Sequence, residues 1–391
     1  MKNFLWYIFN LIATLLNYGI RRGMGVLAVP LSAAMGIPQG STMIFSSIIE
    51  WTKSITLIFS TLIDRFPLLS YNIGIVTYTL GIILMSVLTT NYHGMFFGIG
   101  VMAIGHSILL ISIANFVNRS KGYGRTWDSL TIGIALSCAP LLTGLIFSNS
   151  KGIDLINALA GYGIVSFIVF SAISCIILFG KIDYQPKPKA PLNIFKYWNL
   201  PGLWRMPFVM IMMSGVIYFV GANFVFLFKS FGVKPLNAII MFTGIWASVG
   251  TCGRVFWSWI GYTYKGGSWY GTIVALSITL IGVMIFPYNL VTVLIGSGLL
   301  AFGTAAGQVM VIPTFGERWG HKIFSSTWGL ISIIYNLLNG CIILLSGILL
   351  NMTGNNYILV YQLYSIMAIL AIVLFSTEKN IKYLEPVNGY K

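Results

Sequence analysis

The 391-residue chain is 57% hydrophobic and only 8% charged, with a mean hydropathy of +0.87; soluble globular domains carry roughly 25% charged residues. That leaves almost no material for a soluble domain and implies an integral membrane protein. The net charge of +15 then reads as charge that sets topology and meets lipid headgroups, not as a nucleic-acid footprint.

A helical span needs about 20 apolar residues. The sequence divides into about twelve such runs: 5–34, 41–62, 71–90, 95–116, 126–147, 157–180, 206–229, 236–260, 268–288, 290–313, 326–350 and 358–376. The expected fold is an all-α membrane protein of about twelve transmembrane helices in two six-helix halves. Residues 1–180 would form the first half and 206–391 the second, joined by a polar linker, 181–205, that contains Pro186, Pro188, Pro191 and Pro201.

The first span is longer than a cleavable signal core and carries internal arginines, so it is expected to be retained. Asn10, Asn17 and Arg21 are spaced seven and four apart and share a helical face, with Arg22 pointing about 100° away. A charge at membrane depth is costly unless it is paired or wet, which makes each such ion a functional-site hypothesis. The Arg21 face is expected to line a central cavity. The competing account has one or both arginines bonding unwound carbonyls or pairing with Glu50, and Arg22 is the better candidate for that structural role.

Glu50 and Lys53, three apart on the second span, can pair along the helix. In the sharper reading Glu50 is a protonatable coupling group, released to take a proton when an arriving anion draws off Arg21. Asp64 and Arg65 stand at the end of this span. His106, the one deep histidine, is either a satisfied core residue or a proton relay. Asp128 begins the fifth span near Arg119, Lys121 and Arg125, as a gate pair or a solvated interfacial acid.

In the second half Arg254 sits at mid-depth in the eighth span, with Trp257 one turn on as pocket wall or core. Asn223, Thr304, Gln308, Asn336 and Asn339 can face the cavity or bond between helices, and Gly98, Gly100 and Gly105 read as packing positions. Trp6, Trp198, Trp204, Trp269 and Tyr357 fall near span ends, as interfacial anchors. Cys138, Cys175, Cys252 and Cys341 stand in separate spans without paired spacing, so they read as small buried residues and imply neither a metal nor a disulfide framework. No cofactor is expected. His93, His106 and His321 are scattered with no acid at catalytic spacing, so no enzymatic activity is expected.

In an alternating topology most basic residues, including Lys2, Arg65, Arg119, Lys181, Lys196, Arg205, Lys265, Arg318 and Lys379, fall on one side. The positive-inside rule then places both termini and the central linker in the cytoplasm. Short loops and the lack of a targeting extension fit a multi-pass protein of a prokaryotic inner (cell) membrane, expected to act as a monomer.

Six plus six spans around a basic linker is the layout of transporters built from repeats, with substrate at the midplane. The stretch Ser60-Thr-Leu62-Ile-Asp64-Arg65-Phe66 resembles the major facilitator signature Gly-x-Leu-x-Asp-Arg-x-Gly-Arg-Arg; Pro67, Leu68 and Leu69 replace its last glycine and basic pair, which weakens the expected cytoplasmic latch. Within that superfamily the chain resembles the branch holding the monocarboxylate transporters and the oxalate:formate antiporters. The stretches concerned are Gly19-Ile-Arg21 to Val29-Pro30-Leu31, Asn118 to Lys121 with Ala139-Pro140-Leu141, Gly253-Arg254 with Gly261, and Pro313-Thr314-Phe315-Gly316 with Gly329-Leu330.

The resemblance implies alternating access and a substrate carboxylate at Arg254. Where the oxalate:formate type has an eleventh-span lysine, this chain reads Ser332-Ile-Ile-Tyr335-Asn336, which disfavours oxalate. Gly250 stands where many animal monocarboxylate carriers have an acid, so their proton switch does not carry over. The function expected is secondary transport of a small organic anion, a monocarboxylate first, by proton symport or anion exchange. A phosphorylated or zwitterionic solute is the alternative, and a drug or metabolite efflux pump a weaker one because it wants acids in the cavity. The expected substrate residues are Arg21 and Arg254, supported by Arg22, Asn17, Tyr335 and Asn336.

Overall fold

The computed structural model describes residues 2–119, 125–148, 150–179, 194–263, 267–311, 319 and 324–377. Among these the secondary structure is helical. The first crossing is α1 (Lys2–Arg22) and α2 (Met24–Met35), and the second is α3 (Met43–Ile58) and α4 (Ser60–Arg65). Next come α5 (Pro67–Val87), α6 (Tyr92–Arg119), α7 (Arg125–Phe147) and α8 (Ile153–Phe179). After the linker follow α9 (Met206–Met210), α10 (Val216–Ser230), α11 (Pro235–Thr263), α12 (Gly267–Ile285), α13 (Leu290–Ala306), α14 (Phe324–Met352) and α15 (Tyr357–Ser376).

Among the described residues, eight helical stretches are long and apolar enough to cross a membrane by themselves. The first two crossings are interrupted instead. Gly23 stops α1 and its backbone turns at φ −83°, ψ 5°. The close packing of Thr143 leaves no room for a side chain there, its Cβ lying 2.5 Å from where one would begin. Phe59, at φ −92°, ψ 8°, similarly divides α3 from α4.

Two further irregularities lie in the second half. The crossing that ends in α10 contains a π-turn at Ile211–Gly215, and α13 runs directly into another at Gly307–Val311. π-turns inside helices are rare and concentrate at functional sites.

Small residues let the helices approach closely, the usual device where lipid supplies no hydrophobic drive between them. α5 and α6 meet at Gly81 against Met102 and at Gly105 against Tyr78. Gly98 packs on Met85, whereas Gly100 faces open space and serves no such contact. Large apolar side chains such as Val76, Leu145, Val255 and Ile366 cover the outside, each more than half exposed, as a lipid-facing surface requires. Cys175, Cys252 and Cys341 are exposed too, so the expectation of small buried residues fails for these three.

Among the described residues the two halves meet mainly along seams where α2 packs on α10, α3 on α14 and α7 on α11. At one end Asn351 Nδ2 donates to Ser41 Oγ over 3.1 Å, and Gln39 Nε2 donates to the Tyr357 hydroxyl. Tyr357 is therefore a buried cross-seam contact, not the interfacial anchor its position suggested. Further along, Trp51 Nε1 donates to the Leu337 carbonyl at 3.2 Å and Ser54 Oγ to that of Ile333 at 3.2 Å. The seam is closed from the Gly40–Gly347 end to mid-depth.

Candidate functional site

The middle of α1 is pinned from two sides. The Leu16 carbonyl accepts hydrogen bonds from the hydroxyls of Tyr78 on α5, at 2.8 Å, and Tyr162 on α8, at 2.7 Å. The helix then runs one more turn to Arg21 and Arg22 and stops at Gly23. Consecutive residues diverge by about 100° around a helix, so the two arginines reach different surroundings.

Arg21 turns into the first half. Its Nε and Nη2 donate to Glu50 Oε1 at 3.2 and 2.5 Å, with both side chains out of contact with solvent. Its Nη1 lies 3.3 Å from His106 Nε2. A guanidinium only donates, so Nε2 accepts and the imidazole carries its hydrogen on Nδ1, which lies 2.8 Å from the Asn17 carbonyl and 3.1 Å from its Oδ1. Asn17 Nδ2 in turn donates to the His106 carbonyl at 3.3 Å. Asn17, His106, Arg21 and Glu50 thus form one buried chain linking α1, α6 and α3.

Arg22 turns to the second half, into a small cavity of about 40 Å³. The π-turn contributes Met213 and Ser214; Ile217 and Tyr218 follow on α10, Trp246 and Arg254 stand on α11, and Thr304 on α13. Among the described lining residues there is no acid. Nε of Arg22, and Nε and Nη1 of Arg254, are buried with no hydrogen-bond partner among the described residues. Buried donors left unsatisfied are costly, and two unneutralised cations on one cavity more so.

Tyr218 stands between the two environments. Its ring centroid is 3.9 Å from Arg21 Cζ and 4.3 Å from Arg22 Cζ, both within cation–π range. Arg254 also touches both halves: a Cβ placed on Gly133 of α7 would lie 3.0 Å from the Arg254 Cζ.

The expected site residues fall in different surroundings. Arg22, not Arg21, shares the cavity with Arg254, while Arg21 is the member held by Glu50. Asn17 bonds His106 away from the cavity. Lys53 lies 5.9 Å from the Tyr335 ring, and the ion pair of Glu50 is with Arg21. Tyr335 and Asn336 are buried on α14 outside the cavity lining, and Asn336 Nδ2 donates to the Ser332 carbonyl at 2.5 Å.

Trp257 belongs to the core, donating from Nε1 to the Phe302 carbonyl at 2.7 Å; Trp246, elsewhere on the same helix, is the aromatic wall. Thr304 does line the cavity, and the Gln308 side chain lies outside the described residues. So do the side chains of Trp6, Asp64 and Asp128; Arg65 is exposed at the end of α4. Sequence reading misses Tyr218, Gly133 and both π-turns. A tyrosine or glycine in an apolar run carries no signal of its own, and π-turns have no sequence signature to find.

No protein-family model matches the chain, and no curated protein sequence matches it. Solved structures do. A bacterial homologue of the human lysosomal transporter Spinster, in an inward-facing and occupied conformation, gives a TM-score of 0.71 at 10% identity, covering 99% of this chain and 99% of that one. The nucleoside transporter NupG gives 0.65 at 14% identity, covering 95% and 99%. The major facilitator superfamily transporter FucP, in an outward conformation, gives 0.61 at 14% identity, also covering 95% and 99%. This chain has the major facilitator fold.

Proposed function

We propose that the protein is a secondary active transporter of a small organic anion, moved by alternating access and held between Arg22 and Arg254. The observation that carries this reading is a pair of guanidinium groups, one from each half, with buried, unsatisfied nitrogens on one cavity and no acid among its described lining residues. An arriving carboxylate supplies acceptors to both halves at once, and arginine's planar fork suits such a group. Binding therefore favours the closed seam.

A monocarboxylate is the first substrate to test, from the sequence resemblance. Glu50 is the group proposed to take up a proton, giving proton symport, with anion exchange as the other mode. The basic end is read as cytoplasmic and the acting unit as a monomer in a cell membrane.

One observation favours a second reading, a phosphorylated solute. Two cations without a counter-ion in the cavity suit a divalent phosphate at least as well as a single carboxylate. A zwitterion fits less well, since the described lining offers its ammonium group no acid.

Proteoliposomes with an imposed pH gradient and a panel of radiolabelled carboxylates and phosphate esters test both readings. Accumulation of a carboxylate that collapses with the gradient supports proton symport. Uptake confined to phosphate esters replaces the first reading by the second, and absence of uptake or counterflow for every anion contradicts both.

A further inference from the structure

We propose that Tyr218 is a positioning residue that couples the Arg21–Glu50 pair to the Arg22–Arg254 cavity, so that the charge on Glu50 and the occupancy of the cavity are linked through one aromatic ring. The proposal deepens the transport reading above and rests on it for its functional meaning; the physical link itself stands on geometry.

Arg21 and Arg22 are adjacent in sequence yet belong to different polar systems, one closed by Glu50 and His106 and the other open to the cavity. What they share is the Tyr218 ring, 3.9 Å from one guanidinium carbon and 4.3 Å from the other. Two like charges held this near one another repel, and the negative face of an aromatic ring offsets that repulsion. Neither guanidinium can move without changing what the ring offers to the other. The ring also comes from α10, one turn after the π-turn that lines the cavity, so it reports on the second half to a charge network in the first.

The consequence is a reciprocal coupling, as any linkage between two binding events must be. An anion that draws Arg22 toward Arg254 leaves the ring to Arg21 and loosens its hold on Glu50. A proton reaching Glu50 from water removes the partner of Arg21, which then competes for the ring and frees Arg22 for the anion. The ionisable groups that interact with Glu50 are Arg21 and Tyr18 of α1, Lys53 of its own helix and Tyr335 of α14; Arg22, Tyr218 of α10 and His106 of α6 are reached through Arg21. Of these, Tyr218 alone lines the cavity together with Arg22.

The test is a thermal-unfolding cycle on the full chain in detergent, which needs no solute. Glu50→Gln, Arg22→Gln and their combination are measured with Tyr218 intact, with Tyr218→Phe, which keeps the ring, and with Tyr218→Leu, which removes it. The expected result is that the double variant departs from the sum of the single shifts by about 2–4 °C, the size of a contact-range coupling. That departure persists with phenylalanine and disappears with leucine. Additive shifts in every background, or a departure unchanged by Tyr218→Leu, overturn the proposal.

The functional arm follows counterflow of radiolabelled L-lactate and of glycerol 3-phosphate between pH 5 and 8. Tyr218→Phe should keep the wild-type pH profile, while Tyr218→Leu should flatten it with transport retained at one pH. A wild-type profile persisting in Tyr218→Leu counts against the coupling. If wild type moves neither probe, the transport reading is what suffers, and the thermal cycle still decides on the ring.

Discussion

Arg21 grips Glu50 Oε1 with two nitrogens, Nε at 3.2 Å and Nη2 at 2.5 Å, and both side chains are shut away from solvent. That geometry neutralises one intramembrane cation within the first half and leaves the next residue, Arg22, to the cavity. The two arginines should therefore fail in different ways when removed.

Arg21→Ala strands the Glu50 carboxylate in a buried site. Removing one partner of a buried ion pair costs about 3–5 kcal/mol, so this variant should lose much of its thermal stability in detergent. Arg22→Ala removes an uncompensated charge and should unfold at or above the wild-type temperature while losing solute-induced stabilisation. Differential scanning fluorimetry with and without solute reads both effects.

How much of this is visible in the sequence depends on the residue. Arg21, Arg22, Glu50, His106 and Arg254 stand out because ions and imidazoles in apolar runs are rare, and the crossings follow from hydropathy alone. Which arginine meets the cavity is not legible, because it depends on where α1 stops and on what faces it. Counting 3.6 residues per turn from Asn10 and Asn17 groups Arg21 with them correctly, but that face packs on α6 and α3. The cavity lies about 100° further round the helix, where Arg22 points. The interruption at Gly23 is likewise hidden, since one glycine among many does not announce a break.

Gly133 gives a prediction that changes no charge. A side chain there would crowd the Arg254 guanidinium, whose Cζ lies 3.0 Å from the Cβ position. The arginine tip is flexible enough to yield, so Gly133→Val should fold, displace the guanidinium and weaken anion binding. Radioligand binding should show a rise in Kd with little change in expression or thermal stability.

The close approach of α2 and α10 gives a prediction about conformational change. A Cβ on Gly25 would lie 3.0 Å from the carbonyl carbon of Gly221, which is rigid backbone and cannot yield. Gly25→Val should prevent this seam from closing. Cysteine-accessibility labelling across the seam should show the variant held open, with net transport abolished.

The Leu16 carbonyl, which holds two phenolic hydroxyls, offers a test of what positions the arginines. Tyr162→Phe should cost about 1 kcal/mol, the usual worth of one hydrogen bond, because Tyr78 still satisfies the acceptor. The Tyr78→Phe, Tyr162→Phe double variant leaves Leu16 without its side-chain donors. It should lose more stability than the two single variants together, by thermal unfolding.

The central claim is that Arg22 and Arg254, one from each half, hold the same anion. Equilibrium binding of the best-transported anion to wild type, Arg22→Gln, Arg254→Gln and the double variant tests it most directly. Each single change should weaken binding by about 30-fold or more, as loss of a buried charged contact worth roughly 2–5 kcal/mol requires. The double variant should lose less than the product of the two, because the residues share one ligand. Undiminished affinity in either single variant, or strictly multiplicative losses, would contradict the shared site.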